Sequence, residues 1–204
     1  NGNRFDVICG ALQKYTENLI LKWVKNCISK TKYNNICLAG GVAMNVKANL
    51  ELSKLKKINN VYIPPSPDDS SQAMGACYAY CILKNKPVYK IENAYLGYEI
   101  KEDPLKFISR KELKNYKIYR NNINKIAAKY LKDGKILCRA VGKSEFGARS
   151  LGNRSILACP SNIETKTIIN EKVKGRDFWM PFAASVMDKY SNIYFKLNSN
   201  QSTY

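Results

Sequence analysis

The first 84 residues alternate between helical and strand-like patterns, and this alternation limits the fold more than any other feature of the chain. Apolar residues recur at intervals of three and four over roughly residues 4–29, which predicts one amphipathic helix. Those residues are Phe5, Ile8, Leu12, Tyr15, Leu19, Trp23 and Val24. Short β-prone runs at 35–39 and 60–63 are each followed by a helical pattern, at 44–57 and 67–84. The order helix, strand, helix, strand, helix predicts an α/β unit.

The second half of the chain also contains helical and strand-like patterns, after a stretch of different composition. Residues 84–103 combine Pro87, Asn93 and Gly97 with mixed apolar residues, which indicates a link between two domains. Beyond the link, the patterns predict helices at 104–113, 123–132 and 163–173 and strands at 116–120, 136–141 and 180–187. We therefore expect an α/β fold with one domain over residues 1–90 and a second over residues 91–204.

Composition narrows the class of protein. The formal charge is +18, from 34 Lys and Arg against 16 Asp and Glu, which favours nucleic acid, an anionic membrane or phosphorylated small molecules as partners. The lysines are scattered, however, and a solvated basic surface explains most of them. No apolar stretch approaches the roughly 18 residues that a membrane-spanning helix needs. The seven cysteines lack a C-x-x-C pair and lie in apolar runs, which predicts buried, reduced thiols in a cytoplasmic protein.

A second feature points to chemistry, the stretch Gly142 to Pro160, which we call the arginine segment. Lys143, Arg149 and Arg154 lie among three glycines directly after the apolar run at 136–141. Guanidinium groups bind phosphate and carboxylate groups in a bidentate manner, and glycines let backbone N–H groups approach an anion. The alternative is a surface loop with solvated charges.

Three shorter motifs also have a functional and a structural interpretation. Gly40 and Gly41 stand between a strand and a helix, where backbone donors bind phosphate or the chain simply packs tightly. Asp68 and Asp69 stand at the start of a helix, where they either bind a metal or cap free N–H groups. Lys174 and Arg176 end a helix, as further cations for the arginine segment or as solvated charges that complement the helix dipole.

These motifs resemble the NodU/CmcH-type O-carbamoyltransferases. The arginine segment, GKSEFGARSLGNRSILACP, is similar to the family signature (E/M)-E-F-G-P-R-A-L-G-N-R-S-I-L, and LAGGVAMN at 38–45 is similar to its A-G-G-V-A-x-N loop. The stretch NEKVKGRDFWMPFAAS at 170–185 resembles K-x-R-(E/D)-x-x-x-P-F-A-P-S, and NAYLGY at 93–98 resembles a short Y-L-G segment. The chain departs from these patterns at Ala148, Ser150, Met180 and Ala184.

The resemblance implies a fold and an activity. Residues 1–90 would be the end of an actin-like (ribonuclease H-like) α/β domain, and residues 91–204 the first part of a YrdC-like α/β domain. Such enzymes use ATP to convert carbamoyl phosphate into a carbamoyl-adenylate and pass the carbamoyl group to a hydroxyl group of a small molecule. The resemblance assigns catalytic roles to Arg149, Lys174 and Arg176. It assigns nucleotide or carbamoyl phosphate binding to Gly40, Gly41, Asn45, Lys143, Arg154 and Ser155.

The resemblance also implies a metal, Fe(II) or another divalent ion, with Asp69 as one ligand. The chain contains no histidine, so we expect the complete metal site only in a longer protein of which this chain is a fragment. The competing class is a basic nucleotide- or RNA-binding module, or a protein related to tRNA threonylcarbamoylation. A transferase of this family needs no specific nucleic acid and no membrane, and a homodimer is left open.

Overall fold

The computed structural model describes residue 2 and residues 4–196. This part of the chain is α/β, with helices and two small sheets, as the sequence predicts. It forms two compact units, one comprising residues up to Glu92 with the described part of Lys189–Tyr204, and the other Asn93–Asp188. Their assignment to actin-like and YrdC-like domains, and the boundary near residue 90, stay predictions.

The first unit is built on a parallel strand pair. Strand β1 (Asn35–Cys37) pairs with β2 (Asn60–Tyr62), with Asn35 opposite Asn60, and α2 (Val46–Ser53) connects them after a 3-10 turn at Gly41–Met44. Helix α1 (Phe5–Thr31) precedes the pair, and a 3-10 turn at Asp69–Ser71 leads from it into α3 (Gln72–Leu83). The core consists of Val24, Ile28, Ala43, Leu52, Ile58, Val61 and Ile63.

Helix α1 is confirmed, but most residues of its apolar stripe are exposed, unlike those of an ordinary amphipathic helix. Of the seven residues that predicted it, only Val24 is buried, and the other six are 53–75% exposed. Residues Glu17, Val24 and Ile28 are the buried positions of α1, because α2 and the sheet contact that side of the helix. The periodicity therefore identified the helix without identifying the face that this core covers.

The second unit contains an antiparallel hairpin. Strand β3 (Leu137–Ala140) pairs with β4 (Arg154–Leu157), with Ala140 opposite Arg154, and the loop of the arginine segment connects them. Its helices are α4 (Arg110–Leu113), α5 (Ile123–Lys132) and α6 (Glu164–Ile168), which continues into a π-helical turn at Ile169–Val173. A 3-10 turn at Pro104–Phe107 precedes α4. A 3-10 turn at Asp188–Tyr190 spans the boundary between the two units in the sequence, and α7 (Ser191–Tyr194) belongs to the first unit.

Three expectations for this fold are wrong. Residues 116–120 and 180–187 are not strands, and the sequence analysis missed β4 inside the arginine segment. The residues before 182 are held by side-chain hydrogen bonds rather than by the backbone hydrogen bonds of a sheet, as described below. The seven cysteines are free and none is buried: Cys9, Cys37, Cys77 and Cys138 are exposed, and the other three are partly exposed. None of the described helices has the length and apolarity to cross a membrane.

Candidate functional site

The carboxyl edge of the β1–β2 pair brings two of the predicted motifs together. Gly40 follows β1 with φ of 102°, a conformation that favours glycine, and its N–H donates to the carbonyl of Pro67 beyond β2 at 2.5 Å. A side chain at Gly40 or Gly41 would meet open space. The carboxyl edge of parallel strands is where open α/β sheets bind ligands. The glycine turn and the acidic turn at 68–69 therefore share one edge with room beside it.

Asn45 is held at this edge by a polar network from α1. Its side-chain oxygen accepts the N–H of Ala48 at 3.1 Å, which caps α2, and its amide pairs reciprocally with Gln13 at 2.9 and 3.1 Å. Gln13 also donates to Glu17, which is 2% exposed. That hydrogen bond, with the Lys47 ammonium 3.5 Å away, holds the pKa of Glu17 below its usual value despite its desolvation. Sequence reasoning missed Gln13 and Glu17, although their spacing of four on α1 places them on one helix face.

The two acids of the 3-10 turn have different environments. Asp68 accepts hydrogen bonds from the hydroxyl groups of Ser70 and Ser66 and from the Ser70 N–H, and these hydrogen bonds, that of the Ser70 hydroxyl foremost, lower its pKa. Asp69 is exposed, and its carboxylate accepts a hydrogen bond from the side chain of Gln72 at 3.1 Å. Asp69 is thus the carboxylate open to a ligand. Across the described residues, however, no three His, Cys, Asp or Glu side chains converge, so these residues alone do not fit a divalent metal site.

The carboxylate of Glu145 accepts hydrogen bonds from backbone N–H groups of the arginine segment. Its Oε1 atom accepts the N–H groups of Leu151 at 2.8 Å, Asn153 at 2.7 Å and Arg154 at 3.1 Å. Partial desolvation raises the pKa of Glu145, but the backbone donors outweigh it and lower the pKa to about 2. Sequence reasoning missed Glu145. The available signal was a carboxylate standing within a segment rich in cations.

The predicted link is also part of this site. Segment 94–100 runs antiparallel to 142–146: Phe146 N–H donates to Ala94 at 2.7 Å and Gly97 N–H to Ser144 at 3.0 Å. Tyr95 donates its hydroxyl proton to the carbonyl of Leu151 at 2.8 Å. A Cβ at Gly97 would collide with Ser144 Oγ and lie 3.1 Å from the Ser144 carbonyl oxygen. The Y-L-G motif therefore pairs in an antiparallel manner with the start of the arginine segment, and its glycine permits the close approach of the two backbones.

The cations of the arginine segment divide into two groups. Arg154 donates through Nη1 to Val141 at 2.7 Å and Asn153 at 3.0 Å, and through Nη2 to Gly142 at 3.1 Å and Tyr98 at 3.3 Å. Four of its five N–H groups are thus engaged by carbonyls.

Ser155 likewise accepts the N–H of Gly152 at 2.9 Å. Lys143 and Arg149 are exposed, and no acid within the described residues pairs with them. Phosphate binding by Arg154 and Ser155 stays a prediction, while both side chains hold the turn in this structure.

Lys174 and Arg176 follow the π-helical turn. Arg176 donates from Nε to Asn170 Oδ1 at 2.8 Å, and its guanidinium lies 4.7 Å from the centre of the Phe182 ring. Asn170, fully buried, donates to the carbonyls of Phe178 and Met180 at 3.1 and 3.0 Å. Lys174 is exposed. No hydrogen bond or ion pair in the described part of the chain joins these residues to the arginine segment, so a shared pocket stays a prediction.

Comparisons with known proteins identify the family. The model described as "Carbamoyltransferase N-terminus" matches residues 3–78, and "Carbamoyltransferase C-terminus" matches residues 128–204. The chain belongs to the carbamoyltransferase family, which confirms the resemblance stated above.

Individual relatives agree with this family. Uncharacterized protein MJ1051 of Methanocaldococcus jannaschii is 36% identical over 89% of this chain and 35% of its own length. Uncharacterized protein sll1178 of Synechocystis is 32% identical over 94% and 32%. Nodulation protein NolO of Bradyrhizobium diazoefficiens is 29% identical over 93% and 35%. The chain spans about a third of the length of the curated relatives it matches.

Proposed function

We propose that this chain contributes to an ATP-dependent O-carbamoyltransferase of the cytoplasm. Residues 1–90 are the end of its actin-like domain, and residues 91–204 begin its YrdC-like domain. The reaction converts carbamoyl phosphate with ATP into a carbamoyl-adenylate and passes the carbamoyl group to a hydroxyl group of a small molecule. The observation that carries this proposal is the exposed pair Lys143 and Arg149, on a loop that Glu145 and Arg154 fix from within.

The chemistry requires positive charge at the phosphates. Once carbamoyl phosphate has released its phosphate to water, an oxygen of the resulting carbamate attacks the α-phosphate of ATP, and negative charge builds on the phosphoryl oxygens and on the pyrophosphate that leaves. Cations held in fixed positions stabilise that charge without reorganising. Arg149 and Lys143 supply such charge from the loop, and Lys174 and Arg176 complete the set. Arg154 keeps one N–H, on Nε, for an anion, and Ser155 maintains the turn.

The carboxyl edge of β1 and β2 serves a separate role in the same proposal. Gly40 and Gly41 leave room for a phosphate group next to backbone donors, and Asn45 borders that space. Asp69 contributes one carboxylate to a site for Fe(II) or another divalent ion, which this chain does not complete. No step of the reaction is derived through that metal.

Titrations with ATP and with carbamoyl phosphate test the proposal. Each charge-assisted contact contributes about 1.5–3 kcal/mol, so Arg149→Ala and Lys174→Ala should each weaken binding at least about tenfold. Arg110→Ala is the matched control, because Arg110 is an exposed arginine of α4 outside these motifs. Affinities that stay unchanged in both site variants would remove the proposal.

Salt dependence separates this enzyme from a basic RNA-binding module. Non-specific binding to a polyanion depends on counterion release and should disappear between about 50 and 200 mM salt. Binding of ATP by a few fixed contacts should change only a few-fold, because desolvated pairs are screened weakly. RNA binding that resists salt and depends on sequence, together with no ATP binding, would favour the RNA-binding module.

A further inference from the structure

Glu145 presents a contradiction within the arginine segment. An anion-binding loop gains nothing electrostatically from a carboxylate, yet this carboxylate makes three hydrogen bonds inside the loop. We propose that Glu145 is the positioning residue of the arginine segment: it fixes the loop so that Arg149 is presented to an anionic substrate. This inference rests on the proposed function and adds a residue that acts through Arg149 rather than on the substrate itself.

The hydrogen bonds of Glu145 close the loop into a ring. Its acceptor oxygen lies six, eight and nine residues before its three donors, so one atom ties the start of the loop to the turn before β4. Converging backbone N–H groups form a small anion-binding concavity, and here the chain's own carboxylate fills it. An external phosphate is therefore directed to the side chains of the loop rather than to these N–H groups.

The ring leaves a short stretch between fixed points. Phe146 is anchored by its N–H to Ala94, and Leu151 by its N–H to Glu145 and its carbonyl to Tyr95. Only Gly147 to Ser150, with Arg149 among them, lies between these anchors. A loop that is ordered before binding loses less conformational entropy when it binds.

Two effects of removing the charge oppose each other. Glu145→Gln removes a negative charge, which by itself strengthens the binding of an anion. It also weakens three hydrogen bonds, which loosens the loop and weakens that binding. The direct effect of the charge predicts tighter anion binding in Glu145→Gln, whereas the loss of loop order predicts weaker binding. The positioning role therefore predicts weaker anion binding after an anionic residue is neutralised.

The experiment combines amide hydrogen exchange with titrations of ATP and carbamoyl phosphate. In Glu145→Gln, the amides of Leu151, Asn153 and Arg154 should exchange at least about tenfold faster, and both ligands should bind about tenfold more weakly. Glu164→Gln is the matched control, an exposed acid of α6 that makes the same charge change and should alter neither result. Unchanged exchange, or ligand binding as tight as in the wild type, overturns the proposal.

Further variants distinguish the possible failures. If Glu145 acts through Arg149, adding Arg149→Ala to Glu145→Gln should lower affinity by less than the product of the two single effects, and independent effects would contradict the proposal. Should Glu145→Gln fail to fold, the same measurements are made on Glu145→Asp, which retains the charge on a side chain one carbon shorter. If the wild-type chain binds neither ligand, the proposed function fails, while the exchange rates still decide whether Glu145 orders the loop.

Discussion

Substitution of Asn170 gives the strongest test of the contacts that fix the Arg176 side chain. Its side chain is fully buried, and it makes three hydrogen bonds: two donated to the carbonyls of Phe178 and Met180, and one accepted from Arg176. The segment it holds has no strand partner. We therefore expect Asn170→Ala to release this segment and the Arg176 side chain together.

The size of the effect follows from these contacts. A neutral hydrogen bond contributes about 0.5–1.5 kcal/mol and one to a charged group about 1.5–3 kcal/mol, so three bonds bracket about 2.5–6 kcal/mol. The lower half of this range applies, because the released segment has no sheet partner and its carbonyls can then accept hydrogen bonds from water. We expect a loss of about 3 kcal/mol, which is a large share of the 5–15 kcal/mol typical of a domain.

Urea unfolding measures this loss, with Asn121→Ala as the control. Asn121 is an exposed loop residue, and its substitution should change the free energy of unfolding by less than about 0.5 kcal/mol. A double-mutant cycle with Arg176→Ala should show that the two losses are not additive, since the residues share a hydrogen bond. An Asn170→Ala variant as stable as Asn121→Ala would refute this account of the segment.

Three further predictions follow from the site. Gly97→Ala should lower the urea midpoint, by about 1–3 kcal/mol in unfolding free energy, because its Cβ meets the Ser144 carbonyl; an unchanged midpoint would contradict the close approach. Glu17→Ala should destabilise more than Glu17→Gln, since only the glutamine retains an acceptor for Gln13; equal midpoints would exclude that network. The folded pKa of Glu145 is lowered from 4.5 to about 2, so its hydrogen bonds stabilise the fold above pH 4.5 and are lost as the pH falls toward 2. Glu145→Gln should flatten this part of the unfolding curve against pH, and parallel curves would count against the assignment.

Local patterns predicted the longer helices and three of the four paired strands. Helix α5 begins and ends at the residues that the sequence indicates, 123 and 132, because its apolar spacing and the following Asp133–Gly134 are local signals. Strand β4 was missed because the glycines and arginines before it suggested a loop throughout. Its assignment depends on pairing with β3, which is a contact between distant residues.

The candidate site was predicted only in part, for a related reason. Motifs identified the residue types, but a sequence does not show which partner satisfies each polar group. Glu145 and Asn170 lie inside two of the motifs but received no role in the sequence analysis, and both prove to be hydrogen-bonded anchors. Asn45 similarly has a capping role toward Ala48 that its position in a nucleotide-like loop did not reveal.

Arg149 and Arg154 show why the distinction matters for mechanism. The two arginines lie five residues apart in one motif, and sequence reasoning gave both to an anionic ligand. A guanidinium has five N–H groups in a fixed fork, and four donated to carbonyls hold Arg154 in place and leave one for a ligand. Bidentate phosphate binding needs two adjacent N–H groups, which Arg149 can supply and Arg154 in this conformation cannot. We therefore propose that the motif divides its arginines, with Arg154 building the loop and Arg149 binding the anion, and that the carboxylate of Glu145 shares the role of Arg154.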